Sequence, residues 1–153
     1  MKLYLETSVP NFLFHDDAPD KQQMTKVFVD WLKVSPHELF VSDIVIQEIR
    51  RTKGERRHLL IKAVESFGAM QLPLTTEAQA LGEQYLNEEV LPARFRDDLF
   101  HVAIAVCHRL DMIVTWNMKH LANVNKVARL NAVNRSQGRP MMRIHTPQEV
   151  MGL

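Results

Sequence analysis

The chain has 153 residues, of which 46% are hydrophobic, and a formal net charge of +1. This length suits one domain over residues 1–153 and is too short for two, while the balanced charge gives no overall field for nucleic acid. The one cysteine, Cys107, lies in an apolar run, so we expect no disulfide framework. An acidic residue already occurs at Glu6 and no apolar run approaches the roughly 20 residues of a membrane span, so we expect neither a signal peptide nor a membrane span. We therefore expect a soluble cytoplasmic protein.

Short apolar or β-prone runs alternate with helical stretches along the chain. The predicted strands are Leu3–Leu5, Leu39–Val41, Met70–Leu74, Met112–Trp116 and Met142–His145. The predicted helices are Asp20–Lys33, Asp43–Arg51, Arg56–Phe67, Thr76–Glu88, Asp97–Leu110 and a short helix from Lys119. This alternation predicts an α/β domain with a parallel sheet.

Three carboxylates and one amide stand at the ends of these apolar segments: Glu6, Glu48, Asp98 and Asn117. A charged group beside buried strands costs several kcal/mol to desolvate unless a cation or hydrogen bonds offset that cost. Open α/β sheets bind ligands at the carboxyl ends of their strands, where Glu6 and Asn117 would meet if the first and fourth strands are neighbours. The four residues therefore predict an acidic site for a hard cation such as Mg²⁺, which prefers oxygen ligands.

Each of these residues also has a purely structural interpretation. Thr7 and Ser8 could make Glu6 part of a strand-to-helix turn with hydroxyl caps, and the local residues do not choose between this turn and a site. Glu48 shares a predicted helical face with apolar residues, which favours a functional role. Asn117 by itself is typical of a helix N-cap.

The sequence assigns different roles to the two neighbouring acids at the start of the fifth helix. Asp97 is placed to cap the helix, whereas Asp98 lies in the first turn and is predicted to face the crevice. His101 lies one turn further on the same face, and we expect a satisfied hydrogen bond at the helix surface rather than a ligand role. Trp31 and Trp116 are predicted to pack in the core rather than to stack on bases.

Basic residues gather in two sets, and the sequence leaves open whether these are solvated helix faces or phosphate contacts. The sets are Arg50–Lys53 with Arg56–His58, and Lys119, Lys126, Arg129, Arg135, Arg139 and Arg143. No glycine-rich phosphate loop, zinc-ligand spacing or nucleophile elbow occurs, which excludes the usual nucleotide triphosphatases, zinc hydrolases and serine esterases.

As a set, the motifs resemble those of PIN-domain proteins, and in particular of VapC-like ribonuclease toxins. The resemblance runs nearly end to end, and it is carried by Tyr4–Pro10, Val41–Ile49, Asp97–Ala105, Ile113–Leu121 and Ile144–Glu149. It implies a three-layer α/β/α sandwich around a central parallel sheet of about five strands. The first acidic position of the family is usually Asp, whereas this chain has Glu6.

The resemblance further implies a metal-dependent endoribonuclease that hydrolyses RNA phosphodiester bonds with Mg²⁺ or Mn²⁺. Its catalytic residues would be Glu6, Glu48, Asp98 and Asn117, with Glu6 and Asp98 holding one metal ion. A small antitoxin protein and a homodimer are the implied partners. The alternatives are a DNA-directed nuclease and a catalytically weak or inactive PIN-fold module that acts by binding a protein or nucleic-acid partner.

Overall fold

A computed structural model describes residues 1–153, and its centre is a five-stranded parallel sheet in the order β3-β2-β1-β4-β5. The strands are β1 (Lys2–Leu5), β2 (Glu38–Ser42), β3 (Met70–Leu72), β4 (Met112–Val114) and β5 (Arg143–His145). All five predicted strands are confirmed. The third and fourth strands each end two residues earlier than predicted. The third ends where Pro73 follows, because proline has no N–H to donate to a neighbouring strand.

Eight α-helices connect and cover the strands. They are α1 (Ser8–Phe12), α2 (Pro19–Val34), α3 (Asp43–Arg51), α4 (Glu55–Ser66), α5 (Thr76–Asn87), α6 (Arg96–Cys107), α7 (Val124–Ser136) and α8 (Pro147–Met151). None of them is both long and apolar enough to cross a bilayer. Side-chain caps fix several starts: Ser42 accepts from the N–H groups of Ile44 and Val45 to begin α3, and Asn123 does the same for α7.

The predicted short helix from Lys119 is wrong. The segment forms a turn in which Leu121 and Ala122 both donate their N–H groups to the Asn117 carbonyl, at 3.1 and 2.9 Å. A regular helix begins only at Val124, because Asn123 is the first residue after the turn whose side chain caps free N–H groups. The short helices α1 and α8 were not predicted, and neither was the 13-residue helix α7.

The strand order reverses at β1. Tyr4 of β1 pairs in parallel register with Phe40 of β2 on one side and with Ile113 of β4 on the other. The adjacency of the first and fourth strands, assumed from the sequence, is therefore confirmed. Leu3, Tyr4 and Leu5 are fully buried although they point alternately to both faces of the sheet, so helices cover both faces and the architecture is the predicted α/β/α sandwich.

Helix α6 is almost entirely buried, and its packing against α5 depends on one glycine. A Cβ atom placed on Gly82 of α5 would lie 2.0 Å from Cδ1 of Phe100, well inside van der Waals contact. The absence of a side chain at Gly82 thus allows close approach of the helix that carries Asp98 and His101.

We expect Gly82→Ala to lower the free energy of unfolding by about 1–3 kcal/mol, because overpacking at Phe100 outweighs the helix propensity of alanine. Chemical denaturation followed by circular dichroism measures this. Gly152→Ala is the matched control, since a Cβ at Gly152 meets its nearest atom at an ordinary 3.5 Å. A Gly82→Ala protein as stable as the wild type would show that this contact does not fix α6.

Candidate active site

The four predicted site residues lie around the carboxyl ends of β1 and β4, where the strand order reverses. Glu6 directly follows β1, Asn117 lies three residues beyond β4, Asp98 is in the first turn of α6, and Glu48 lies on α3. Asn117 Nδ2 donates to Asp98 Oδ2 at 3.4 Å, which joins two of them directly. Glu48 is connected to the others through Thr7 and His101.

Glu6 is buried, with only 5% of its surface exposed. Its Oε2 accepts hydrogen bonds from the Ser8 N–H at 2.8 Å and from the Thr115 hydroxyl at 2.9 Å. The interpretation of Glu6 as a solvated acid in a capped turn is therefore wrong, because neither Thr7 nor Ser8 caps α1 through its side chain.

The hydroxyl groups that follow β1 and β4 connect the two strand ends. Ser8 Oγ accepts from the Trp116 N–H at 2.8 Å and lies 3.2 Å from Thr115 Oγ1. Thr115 Oγ1 also accepts from the Asn117 N–H at 2.9 Å. Because Thr115 donates to Glu6, the Ser8 hydroxyl must donate to Thr115, and every proton in this network has an acceptor. Sequence reasoning missed Thr115, although hydroxyl residues directly after both strands were the available signal.

Glu48 is held by two donors on a single carboxylate oxygen. Its Oε1 accepts from the Thr7 hydroxyl at 2.8 Å and from His101 Nε2 at 2.5 Å. Partial burial acts to raise the pKa of Glu48, but the hydrogen bond and charge of His101 and the Thr7 hydroxyl outweigh it, so that its pKa lies below the usual value. Glu48 is therefore ionised at neutral pH.

His101 is fully buried and belongs to a series of hydrogen bonds that runs from the core to Glu48. Its Nδ1 lies 2.5 Å from the Tyr4 hydroxyl, which lies 2.6 Å from Ser42 Oγ, the side chain that caps α3. Burial acts to lower the pKa of His101, but the hydrogen bond and charge of Glu48 and the charges of Glu6 and Asp98 raise it overall. The expected hydrogen bond is present, but the expected surface position is wrong.

Asp98 has a raised pKa, first because it is partly buried and second because the Glu6 charge repels its own. Its Oδ2 contacts His120 Nδ1 at 3.2 Å in addition to Asn117. The neighbouring Asp97 does not cap α6, which begins at Arg96, and instead pairs with Arg51 at 2.8 Å. The sequence thus predicted the site position of Asp98 but not the ion pair of Asp97.

The Asn117 side chain caps a backbone N–H group, but this group belongs to a turn rather than to a helix. Its Oδ1 accepts from the His120 N–H at 3.0 Å, and the turn brings the His120 ring to Asp98. Sequence reasoning missed His120, because only the turn places its ring beside α6. The two tryptophans lie in or against the core as predicted, and the Trp116 ring N–H donates to buried Thr25.

Each carboxylate of the site uses one oxygen for the bonds described above and leaves the other without a protein partner. The free atoms are Glu6 Oε1, Glu48 Oε2 and Asp98 Oδ1. No buried side-chain nitrogen or oxygen atom lacks a partner, so these three oxygens reach solvent.

Solvent-facing carboxylate oxygens fit a hard divalent cation. Three or more acidic, histidine or cysteine side chains do not converge into a ready-made metal cage anywhere in the chain. Mg²⁺ keeps several waters and needs only one or two carboxylates, which Glu6 and Asp98 can provide.

Neither protein-family models nor curated protein sequences give a match to this chain. Solved structures do. A chain of VapBC2 from Rickettsia felis, solved with a DNA fragment from the promoter, has a TM-score of 0.58 at 12% identity, with 95% of this chain and 98% of that chain covered. A chain of VapBC-1 from nontypeable Haemophilus influenzae has a TM-score of 0.58 at 13% identity, covering 97% and 99%. A chain of VapBC-5, a toxin–antitoxin system of Mycobacterium tuberculosis, has a TM-score of 0.53 at 18% identity, covering 95% and 98%.

The chain has the PIN-domain fold. The structural match spans nearly the whole chain, as did the sequence resemblance. The acidic residues that the sequence singled out lie around the carboxyl ends of the central strands of this sheet. At these identities the neighbours establish the fold, and the chemistry of the site has to be argued from its own residues.

Removing the Tyr4 hydroxyl tests the hydrogen-bond chain behind Glu48. We expect Tyr4→Phe to lower the free energy of unfolding by about 1–3 kcal/mol, because buried His101 and Ser42 each lose a partner. Tyr85→Phe is the matched control: it removes the other buried tyrosine hydroxyl, which bonds Asn134 away from this site. Both variants should be destabilised, but only Tyr4→Phe should shift the ¹⁵N resonances of the His101 ring. Unchanged ¹⁵N resonances of the His101 ring in Tyr4→Phe would contradict a hydrogen bond between Tyr4 and His101.

The Glu48–His101 pair predicts a pH-dependent stability. The lowered pKa of Glu48 gives stability that is complete above its unfolded value near 4.5, and the raised pKa of His101 gives stability that is complete below its unfolded value near 6.5. The difference in unfolding free energy between wild type and His101→Gln should be largest between these values and should decrease on both sides. Urea denaturation from pH 3 to 9 measures it, and a difference independent of pH would contradict the pair.

Proposed function

We propose that this protein is a metal-dependent endoribonuclease that hydrolyses RNA phosphodiester bonds and acts as the toxin of a toxin–antitoxin pair. The observation that carries the proposal is the arrangement of Glu6, Glu48 and Asp98. All three lie where the strand order of a PIN fold reverses, each is oriented by hydrogen bonds to one oxygen, and each leaves the other oxygen open to solvent. The hydrogen bonds within the fold use only one oxygen of each carboxylate, so they do not explain why the second oxygens of all three are left facing solvent in the same region.

Glu6 and Asp98 would hold Mg²⁺ or Mn²⁺. Burial raises the pKa of Asp98 most and the charge of Glu6 raises it further; the second of these effects supports the assignment, because a bound cation would relieve the repulsion. When bound, such a cation supplies an activated water and neutralises negative charge that develops on a phosphoryl group.

Glu48 is assigned to the attacking water. It stays ionised at neutral pH, so it can orient a water molecule or accept its proton. His101 and Thr7 fix one oxygen of Glu48, which leaves Oε2 as the acceptor. His101 and Tyr4 are in this assignment positioning residues that act through Glu48.

Asn117 and His120 hold Asp98 from the other side of the crevice. The amide group of Asn117 has two N–H donors, and only one of them bonds Asp98. The second is available for a phosphate oxygen or for a water molecule. Because Asn117 carries no charge, three carboxylates remain for metal binding, which favours one tightly held ion.

One structural neighbour supports a protein partner, since VapBC-5 is described as a member of a family of toxin–antitoxin systems. We propose that a small antitoxin covers the acidic crevice of this chain, that the chain forms a homodimer, and that it acts on RNA in the cytoplasm.

Cleavage of an RNA pool containing structured and unstructured molecules tests the proposal. We expect Mg²⁺- or Mn²⁺-dependent cutting that EDTA abolishes, and a loss of roughly 100- to 1000-fold in Asp98→Asn, as is usual when one electrostatic group of an active site is removed. Asp97→Asn is the matched control, because it makes the same chemical change at the adjacent residue, whose partner is Arg51 outside the site.

Equal activity in Asp98→Asn and Asp97→Asn would indicate a contaminating nuclease or a different site. Absence of activity in the wild type would favour the alternative of an inactive PIN-fold module that acts through a partner. Competition between RNA and single-stranded DNA of one sequence distinguishes a ribonuclease from a DNA-directed enzyme.

A further inference from the structure

Strand β5 forms one edge of the sheet, and one of its residues offers unpaired backbone groups. The parallel register pairs Ile113 with Ile144, and the Thr115 N–H donates to the His145 carbonyl at 3.0 Å. In a parallel ladder this pattern directs the backbone groups of Arg143 and His145 toward β4 and those of Ile144 away from it. No side chain of the protein bonds the N–H or C=O of Ile144, so both groups face outward without a partner.

The preceding outward-facing residue, Met142, is satisfied in a different way. Asn131 of α7 accepts from the Met142 N–H at 2.8 Å and donates to its carbonyl at 3.0 Å, as a neighbouring strand would. Asn131 is itself bonded by Asn134, which accepts from the Tyr85 hydroxyl in the core. These bonds fix helix α7 beside the edge strand. The Asn131 side chain takes the place of a neighbouring strand only at Met142, and no side chain does so at Ile144, the next outward-facing residue.

A cavity of about 650 Å³ lies between α7 and this edge. Its apolar lining includes Val124, Val127 and Ala128, which share a face of α7, together with Met141 and Ile144. Val124 is 86% exposed and Met141 64% exposed, which is a large apolar surface to leave in water. The groove therefore combines the unpaired backbone groups of Ile144, a residue that is only 6% exposed, with a preformed apolar wall.

The charged residues of the groove are predominantly basic. Arg135 and Arg143 form no ion pair in the structure, and each is exposed beside the cavity. The acidic lining residue, Glu149, already bonds Thr146 and His145. The unpaired charge of the groove is therefore positive and complements a negatively charged ligand.

We propose that this groove binds an extended, acidic segment of a partner protein, which adds to the sheet as a strand beside β5. The Ile144 N–H and C=O groups pair with the backbone of the segment, apolar side chains at alternate positions enter the cavity, and the acidic side chains complement the positive charge of Arg135 and Arg143. The groove lies on an edge of the sheet made by β5 and α7 and does not use Glu6, Glu48 or Asp98. The inference therefore does not depend on the proposed nuclease activity.

Two blocked heptapeptides provide the probe, Glu-Val-Glu-Val-Glu-Val-Glu and its counterpart with Lys in place of Glu. Titration into ¹⁵N-labelled protein should shift the Ile144 amide resonance and slow its hydrogen exchange with the acidic peptide. We expect at least tenfold weaker binding of the Lys peptide. In the double variant Arg135→Glu with Arg143→Glu this preference should reverse, whereas Arg57→Glu, an exposed charge reversal on α4, should leave it unchanged.

A lack of any Ile144 shift at millimolar acidic peptide, or equal binding of both peptides, would overturn the proposal. Sedimentation at the same protein concentrations gives a second overturning result: a wild-type dimer that the double variant loses would make a second copy of the chain the occupant. The titration is repeated with Asp98→Asn, which should bind the acidic peptide as the wild type does. Loss of peptide binding and loss of RNA cleavage are thus observed separately.

Discussion

The structure depends on how like charges are held at the edge of an apolar sheet. Glu6, Glu48 and Asp98 come to the strand ends, where burial first and the charge of Glu6 second raise the pKa of Asp98. Each is stabilised by donors on one oxygen, and the donors come from segments that the fold must place in any case: the ends of β1 and β4, the turn at Asn117 and the buried face of α6. The same residues therefore connect the strand ends and orient the acids, so the geometry of the site follows from the fold itself.

Helix α6 connects the hydrophobic core to this arrangement most directly. Asp98 lies at its first turn and His101 one turn further, on a helix whose residues from Leu99 to Val106 are all buried. The bond from His101 to Tyr4 ties the helix to the central strand, and the bond to Glu48 ties it to α3. A shift of α6 would move two acids at once. We therefore expect the close contact of Gly82 with Phe100 to affect the geometry of the site through the position of α6.

The sequence predicted the strands, most helices and the convergence of four polar side chains near the strand ends, because hydrophobic periodicity and residues placed at strand ends are local signals. It did not predict the partners of those residues. The sequence suggests a surface position for His101, yet the residue is buried. Local patterns could not show this, because its hydrogen-bond partners Tyr4 and Glu48 are 97 and 53 residues away in the chain. Asp97 has the local signature of a helix cap, but α6 begins one residue before it and Arg51 of another helix provides a stronger partner. Such pairings depend on the tertiary fold, which local patterns do not encode.

The glutamate at position 6 shows how this fold accommodates a departure from the residue usual in PIN-domain proteins. An extra methylene would displace a freely rotating carboxylate by about one C–C bond length and would add a rotatable bond that has to be ordered. Here the Ser8 N–H and the Thr115 hydroxyl both bond Oε2, so the longer side chain is fixed at its tip rather than along its length. Its Oε1 then has a defined direction, as the oxygen of a shorter acid would. The hydroxyl network between the two strand ends thus fixes the direction of the carboxylate of Glu6 although its side chain is one methylene longer than that of Asp.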